Sequence, residues 1–126
     1  MRHTAKKLFK SAFSLAAVVG ALLLTSFPAS AADGASSIVE KGKAVAFDRI
    51  KGNCLACHMT GDGTLPGNIG PPLIGMKARF PDKAKLRAQI WDSTVANPNS
   101  IMIPFGRNRV LSEEEIDQVV EYIYTL

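Results

Sequence analysis

Three stretches of this chain carry apolar residues at the spacing of an α-helix. The first predicts an N-terminal helix, and its apolar face consists of Ile38, Val39, Gly42, Val45 and Ala46. The second predicts a middle helix between an N-cap at Asp82 and a stop at Asn97-Pro98. The apolar residues of this middle helix are Leu86, Ile90 and Trp91.

The third stretch has the clearest beginning. Ser112 is followed three residues later by Glu115, which is the spacing of a capping box. The apolar stripe that comes next consists of Ile116, Val119, Val120 and Ile123. Together these features predict a C-terminal helix with one buried face.

The segments between these helices lack any periodicity. Residues 60–77 are rich in glycine, and residues 101–110 contain Pro104 and Gly106, so both are expected to be irregular loops. Helices joined by such loops predict a small all-α domain over residues 32–126. A chain of this length buries only a modest core of its own.

Residues 1–31 have the composition of a cleaved secretory signal peptide. Four basic residues precede an apolar run from Ala12 to Leu24, and Ala29-Ser30-Ala31 offers a cleavage site. The apolar run is too short to span a bilayer as a helix, so we expect no membrane anchor after cleavage. Removal of this leader leaves 11 Lys+Arg and 11 Asp+Glu, and this balance gives no reason to expect nucleic-acid binding.

The candidate chemistry lies at Cys54-Leu55-Ala56-Cys57-His58, the motif that receives covalently attached haem c. Each thiol forms a thioether with a haem vinyl group, and the adjacent histidine becomes an axial ligand of the iron. A structural zinc site would need a fourth ligand, and a thioredoxin-like pair would need a strand-helix-strand pattern. A disulfide between the two cysteines would close too small a loop to stabilise much. One haem c, attached in the periplasm after export, is therefore the favoured interpretation.

The histidines and methionines outside the leader limit the choice of the second axial ligand. His58 is the only histidine outside the leader, so two histidines of this chain cannot ligate one haem, and methionine is the usual alternative. Met59 follows the proximal histidine too closely to reach the opposite face of the ring. Met76 lies in a segment that still passes along the proximal side, whereas Met102 lies in a second loop. We therefore predict His58 and Met102 as the metal ligands, with Met76 as the alternative.

With these residues, the chain resembles the class I cytochromes c over nearly all of residues 32–126. The resemblance rests on Cys54 to His58, Gly70-Pro71-Pro72-Leu73-Ile74-Gly75, Arg79 and Met102. It implies that the Pro71 carbonyl accepts the His58 Nδ1 proton and that Arg79 bonds a haem propionate. Trp91 is a further candidate donor to a propionate, although a single tryptophan on a helix often belongs to the core. A close approach of the terminal helices at Gly42 and Tyr122 also belongs to this pattern.

A narrower resemblance is to the SoxX family, the monohaem subunits of the SoxAX sulfur-oxidation cytochromes. It rests on the joint order of five segments: 52–58, 66–73, 79–82, 86–92 and 97–106. Ile103 departs from that family, which commonly has proline after the ligand methionine.

The SoxX resemblance implies a subunit of an L-cysteine S-thiosulfotransferase, which couples thiosulfate oxidatively to a carrier cysteine. That reaction releases two electrons, whereas one haem stores one, and this chain has no spare thiol to hold sulfur. Its expected role is therefore electron transfer and not catalysis on its own. The implied partners are a SoxA-like cytochrome c subunit in a heterodimer, a SoxYZ-like carrier protein and a small cytochrome c as electron acceptor. The alternatives are a free-standing class I cytochrome c that serves an oxidase or reductase, and a peroxidase-like or gas-binding haem protein without Met102 on the iron.

Overall fold

The computed structural model describes residues 30–126. This part of the chain contains helices, turns and loops but no strand, so the predicted all-α class is confirmed. The helices are α1 (Ser30–Phe47), α2 (Met76–Arg79), α3 (Lys83–Trp91), α4 (Ser93–Ala96) and α5 (Glu113–Ile123), with a 3₁₀ turn at Cys54–Ala56. The predicted signal peptide, except for its last two residues, lies outside the described part. None of the described helices combines the length and apolarity that a bilayer crossing requires.

The two terminal helices, α1 and α5, pack against each other at Gly42. A Cβ atom at this position would lie 1.8 Å from the Gln118 carbonyl oxygen and 3.0 Å from the Tyr122 Cβ. Only glycine allows the two backbones to approach this closely. The predicted approach of Gly42 and Tyr122 is therefore confirmed, and Phe47 adds an edge-to-face contact with the Tyr122 ring at a centroid distance of 6.0 Å.

Tyr122 also connects α5 to the loop that follows the Cys-X-X-Cys-His motif. Its hydroxyl donates to Asp62 Oδ1 at 2.8 Å, and Lys43 Nζ lies 2.7 Å from the other carboxylate oxygen. Burial and this hydrogen bond raise the pKa of Tyr122, so the phenol stays a donor. The start of this long loop, residues 60–77, is thereby attached to both terminal helices.

The capping box of α5 is present as predicted. Glu115 N–H donates to Ser112 Oγ at 3.2 Å, and Ser112 N–H donates to Glu115 Oε2 at 2.9 Å. The apolar stripe of α5 faces inward and joins a core formed with α1, α2, α3 and the loop before α5. The buried apolar residues are Ala46, Leu73, Met76, Leu86, Ile90, Phe105, Leu111, Ile116, Val119, Val120, Tyr122 and Ile123.

The middle helix begins as predicted but is interrupted. Asp82 Oδ1 accepts from Ala84 N–H at 2.9 Å and caps α3. Helical structure stops at Asn97 as predicted, but a single continuous helix is wrong, because α3 ends at Trp91 and Asp92 adopts an extended conformation with φ −154°. The Asp92 carboxylate then accepts from Thr94 N–H at 3.0 Å and caps a separate short helix, α4. An aspartate that bonds the backbone two residues ahead competes in this way with continued helix.

Two other boundaries differ from the sequence-based expectation. Helix α1 begins at Ser30, eight residues before the first residue of its apolar pattern, because the small residues in between also take helical geometry. Helix α2 lies at the end of the segment predicted as loop and begins after Gly75, whose φ of 61° favours glycine. This single turn brings Met76 into the core.

Candidate haem site

The Cys-X-X-Cys-His motif is held in a compact turn. Asn53 has a left-handed conformation with φ 45°, and its carbonyl accepts from Ala56 N–H at 3.0 Å. The carbonyl of Cys54 then accepts from His58 N–H at 2.9 Å. As a result, Cys54, Cys57 and His58 all line one cavity.

The imidazole of His58 is fixed from the side of the long loop. Its Nδ1 lies 2.7 Å from the Pro71 carbonyl oxygen, the contact that the resemblance implies. Gly70 lies against the ring, and its N–H donates to the Cys57 carbonyl at 2.8 Å. Since a carbonyl oxygen can only accept, Nδ1 carries the proton, and Nε2 is the nitrogen left with a free lone pair.

The cavity has a volume of about 550 Å³ and is predominantly apolar. Its size is within the range of sites that enclose an organic cofactor or ligand. Arg79 is the one charged side chain that lines it among the described residues. The apolar lining residues are Ile69, Pro71, Leu73, Met76, Phe80, Leu86, Ile90, Ile101, Met102, Phe105, Leu111, Val119 and Ile123.

Arg79 lies at the cavity wall with its guanidinium close to the loop. Its NH1 donates to the Pro72 carbonyl at 2.6 Å and lies 3.3 Å from the Met76 sulfur. The same side chain remains exposed. Its guanidinium therefore places positive charge beside an apolar cavity, where the carboxylate of a bound group could pair with it.

The three candidate methionines have different surroundings. Met59 is 46% exposed and does not line the cavity, which agrees with its exclusion as a ligand. Met76 and Met102 both line the cavity. Met76 is 1% exposed and has its sulfur next to Arg79, whereas Met102 is half-buried in the second loop. The structure therefore brings Met102 and His58 to one cavity from two separate segments.

The environment of Cys54 suits a thioether better than a thiolate. Burial raises the pKa of its thiol to about 11, so the sulfur is uncharged at neutral pH. Cysteines that bind metals or exchange disulfides are thiolates, and reactive ones usually have a lowered pKa. A neutral sulfur at an apolar wall thus agrees with attachment to an apolar macrocycle.

Comparison with known families supports this interpretation. The sequence model of a family described as cytochrome c oxidase, cbb3-type, subunit III, matches residues 38–123. The chain belongs to this family of cytochromes c. The match includes the Cys-X-X-Cys-His motif, every segment that lines the cavity and helix α5. Membership implies covalently bound haem c and electron transfer.

A curated relative of this cytochrome c is an uncharacterized lipoprotein of Aquifex aeolicus (strain VF5). The two sequences are 38% identical over 76 residues, which is 59% of this chain and 36% of the relative. The similarity thus spans about a third of the length of that protein.

Haem c fits the residues of this cytochrome at three points. Gly70 leaves no room for a Cβ, which would lie 2.4 Å from His58 Cε1, so the loop lies directly against the imidazole. Both cysteines and His58 open onto the same apolar cavity. Arg79 places a positive charge at the cavity wall, where a haem carboxylate could pair with it.

The role of Trp91 as a propionate donor stays a prediction. Its indole N–H donates to Glu113 Oε1 at 2.9 Å, and Trp91 does not line the cavity. Gly106 packs directly on the ring, where a Cβ would lie 2.1 Å from Trp91 Cδ1. Because its donor is already paired, we assign Trp91 to the contact of α3 with α5 and the second loop.

The sequence-based prediction missed the residues that hold the loop containing Met102. Ser93 is completely buried, and Asp92 is 5% exposed. Asp92 Oδ2 lies 2.8 Å from Arg107 NH1, so Arg107 is paired within the chain. The available signal was the polar run Asp92-Ser93-Thr94 inside an otherwise helical segment, since these residue types favour helix caps and interruptions.

Proposed function

We propose that this protein is an exported, periplasmic cytochrome that carries one haem c with His58 and Met102 as axial ligands. The observation that supports this proposal most directly is that the motif and the Met102 loop line the same apolar cavity. Haem bound in this way supplies one-electron chemistry at the iron. The protein residues attach it, exclude water, and leave no open coordination position for a substrate. One-electron transfer follows from such a site.

The ligand assignment rests on what surrounds each sulfur. The Met76 sulfur lies 3.3 Å from Arg79 NH1 in a short helix whose first N–H is bonded to the Leu126 carbonyl at 2.8 Å. Moving Met76 to an iron would require this arrangement to change. Met102 lies in a loop without regular structure, and its half-buried side chain lines the cavity. It is therefore the better placed of the two candidates.

We place this electron-transfer unit in a SoxAX-type complex that couples thiosulfate to a carrier cysteine. In that reaction, a carrier thiolate and thiosulfate form a sulfur-sulfur bond and release two electrons. Supporting evidence is the ordered set of SoxX-like segments and the absence of any cysteine beyond the two in the haem motif. The chemistry at sulfur would then belong to a SoxA-like partner and the acceptor thiol to a SoxYZ-like protein. This chain would pass electrons to a small cytochrome c.

The test is gentle purification of the protein from the periplasm of its own host grown on thiosulfate. Absorbance and intact mass would be measured on the eluted species. A stoichiometric complex with a second, larger haem c protein is the expected result. Recovery of a lone monohaem protein would contradict the assignment to a SoxAX-type complex.

A free-standing electron carrier to an oxidase or reductase is the second candidate. It is favoured by one observation: the matching family model is named for a subunit of a cytochrome c oxidase. This alternative predicts a monomer with transient partners. Reduction of the purified terminal oxidase of the same host by the ferrous protein, without other carriers, would support it.

A further inference from the structure

Ser93 is the most deeply buried polar residue near the Met102 loop. It lies at the junction of α3 and α4 with 0% of its surface exposed. Its Oγ lies 2.9 Å from Ser100 Oγ and 3.0 Å from the Met102 carbonyl oxygen. The Met102 N–H, in turn, donates to Ser100 Oγ at 3.2 Å.

These contacts form a closed ring of hydrogen bonds through Ser93, Ser100 and the backbone of Met102. A serine hydroxyl carries one hydrogen and rotates to direct it. In the assignment that satisfies every group, Met102 N–H donates to Ser100, the Ser100 hydroxyl donates to Ser93, and the Ser93 hydroxyl donates to the Met102 carbonyl. Both backbone polar groups of Met102 are therefore fixed by two side chains.

The residue that follows Met102 provides little other restraint. Ile103 is 51% exposed and does not line the cavity, so the side chain that follows Met102 packs poorly. Isoleucine at 103 also leaves φ free where a proline would fix it. The position of the Met102 backbone consequently depends on the hydrogen bonds of the two serines more than on the packing of Ile103.

The same junction holds the loop farther along the chain. The Trp91 carbonyl accepts from Gly106 N–H at 3.0 Å, and Arg107 NH1 contacts Asp92 at 2.8 Å and the Thr94 hydroxyl at 3.0 Å. These bonds hold the end of the loop but do not touch Met102. Ser93 is thus the point at which the junction reaches the candidate ligand itself.

We propose that Ser93, together with Ser100, is a positioning residue that holds Met102 in place for the iron and sets how readily another ligand displaces it. This inference rests on the proposed ligation by Met102. Displacement requires the loop to open, and opening breaks the ring of hydrogen bonds. Removing one hydroxyl leaves its partners unpaired in the closed loop and therefore lowers the free energy needed to open the loop.

The experiment titrates the ferric, haem-loaded protein with imidazole and follows the loss of the methionine-to-iron charge-transfer absorption. The variants are Ser93→Ala and Ser100→Ala. We expect each to bind imidazole roughly tenfold more tightly than the wild type, the effect of one lost hydrogen bond. The double variant should show less than the product of the two effects, because both substitutions open the same ring.

Ser112→Ala is the matched control. It removes another serine hydroxyl that accepts a backbone N–H, but at the start of α5 and away from the Met102 loop. This variant should lose stability to unfolding while its imidazole affinity stays that of the wild type. Because Ser100 is only half-buried, Ser100→Ala tests the ring even if Ser93→Ala does not fold.

The outcomes separate this inference from the proposed ligation. If the wild type lacks the charge-transfer absorption, ligation by Met102 is wrong. If the wild type has it, Met102→Leu lacks it, and the Ser93 and Ser100 variants bind imidazole no better than Ser112→Ala, ligation by Met102 stands and the positioning role is overturned.

Discussion

His58 and Pro71 are thirteen residues apart in sequence, yet the imidazole Nδ1 and the proline carbonyl oxygen lie 2.7 Å apart. This hydrogen bond fixes the tautomer of the imidazole and leaves Nε2 available for the proposed ligation of the iron. Proline suits the position because the bond uses its carbonyl and needs no N–H. The orientation of the proposed axial ligand thus depends on the loop that Gly70 brings against the ring.

Gly70→Ala should impair haem attachment. Its Cβ would lie 2.4 Å from His58 Cε1 and 2.6 Å from Nδ1, and Gly70 N–H is bonded to the Cys57 carbonyl. Relief requires the loop or the imidazole to move, at a cost of about 1–3 kcal/mol in unfolding free energy. Haem content per chain and urea unfolding measure both effects. Gly61→Ala is the control, because nothing lies within 4 Å of its added Cβ, and equal haem loss in both variants would contradict this explanation.

Gly42→Ala should destabilise the contact of the terminal helices. The added Cβ would lie 1.8 Å from the backbone oxygen of Gln118, so α1 and α5 would have to separate. A loss of at least about 2 kcal/mol in unfolding free energy is expected from such overpacking. Gly34→Ala in the same helix meets nothing within 4 Å and should change the unfolding free energy by no more than about 0.5 kcal/mol. Equal effects from the two substitutions would contradict the predicted difference.

Asp92 should make the stability of the protein depend on pH in the acid range. The Thr94 hydroxyl and then the Thr94 N–H and Arg107 hold the pKa of Asp92 below its ordinary value of 3.8. A carboxylate with a lowered pKa in the folded state stabilises the fold at pH values above its ordinary pKa, and this stabilisation is lost as the pH falls through the lowered value. Asp92→Asn keeps the cap but removes the charge. The difference in unfolding free energy between wild type and variant should therefore be largest near pH 7 and shrink below about pH 4. A difference that is constant over this range would show that Asp92 acts through packing alone.

Arg79 and Trp91 should respond differently to substitution. Arg79 lines the cavity, whereas the Trp91 indole donates to Glu113 outside it. Arg79→Gln removes a positive charge beside the haem and should lower the reduction potential, since that charge favours the more negative, reduced state. Trp91→Phe should leave the potential and the haem spectrum unchanged. A shift in Trp91→Phe as large as that in Arg79→Gln would restore Trp91 as a propionate donor.

The parts of this fold that the sequence predicts are those set by local chemistry. The capping box at Ser112 and Glu115 and the cap at Asp82 depend on residues within one turn, so their spacing in the sequence is enough. The haem motif is also local, since two cysteines and a histidine lie within five positions. Such features need no knowledge of what packs against them.

The parts that were missed depend on contacts between distant segments. The break at Asp92 has a local signal in the cap that it forms with Thr94, but its ion pair with Arg107, fifteen residues away, is not visible in the local pattern. The pairing of Trp91 with Glu113 likewise joins two helices, and no spacing rule reveals it. Periodicity shows which face of a helix is apolar, but it does not show which buried polar groups replace one helix by two.

Ligation by Met102 is tested most directly by the methionine-to-iron charge-transfer absorption of the ferric protein in two matched variants, Met102→Leu and Met76→Leu. Leucine conserves the volume of methionine, so the buried Met76 site should lose less than about 1.5 kcal/mol. We predict that the absorption is present in the wild type and in Met76→Leu and absent in Met102→Leu. Its survival in Met102→Leu with loss in Met76→Leu, or its absence from the wild type, would contradict ligation by Met102.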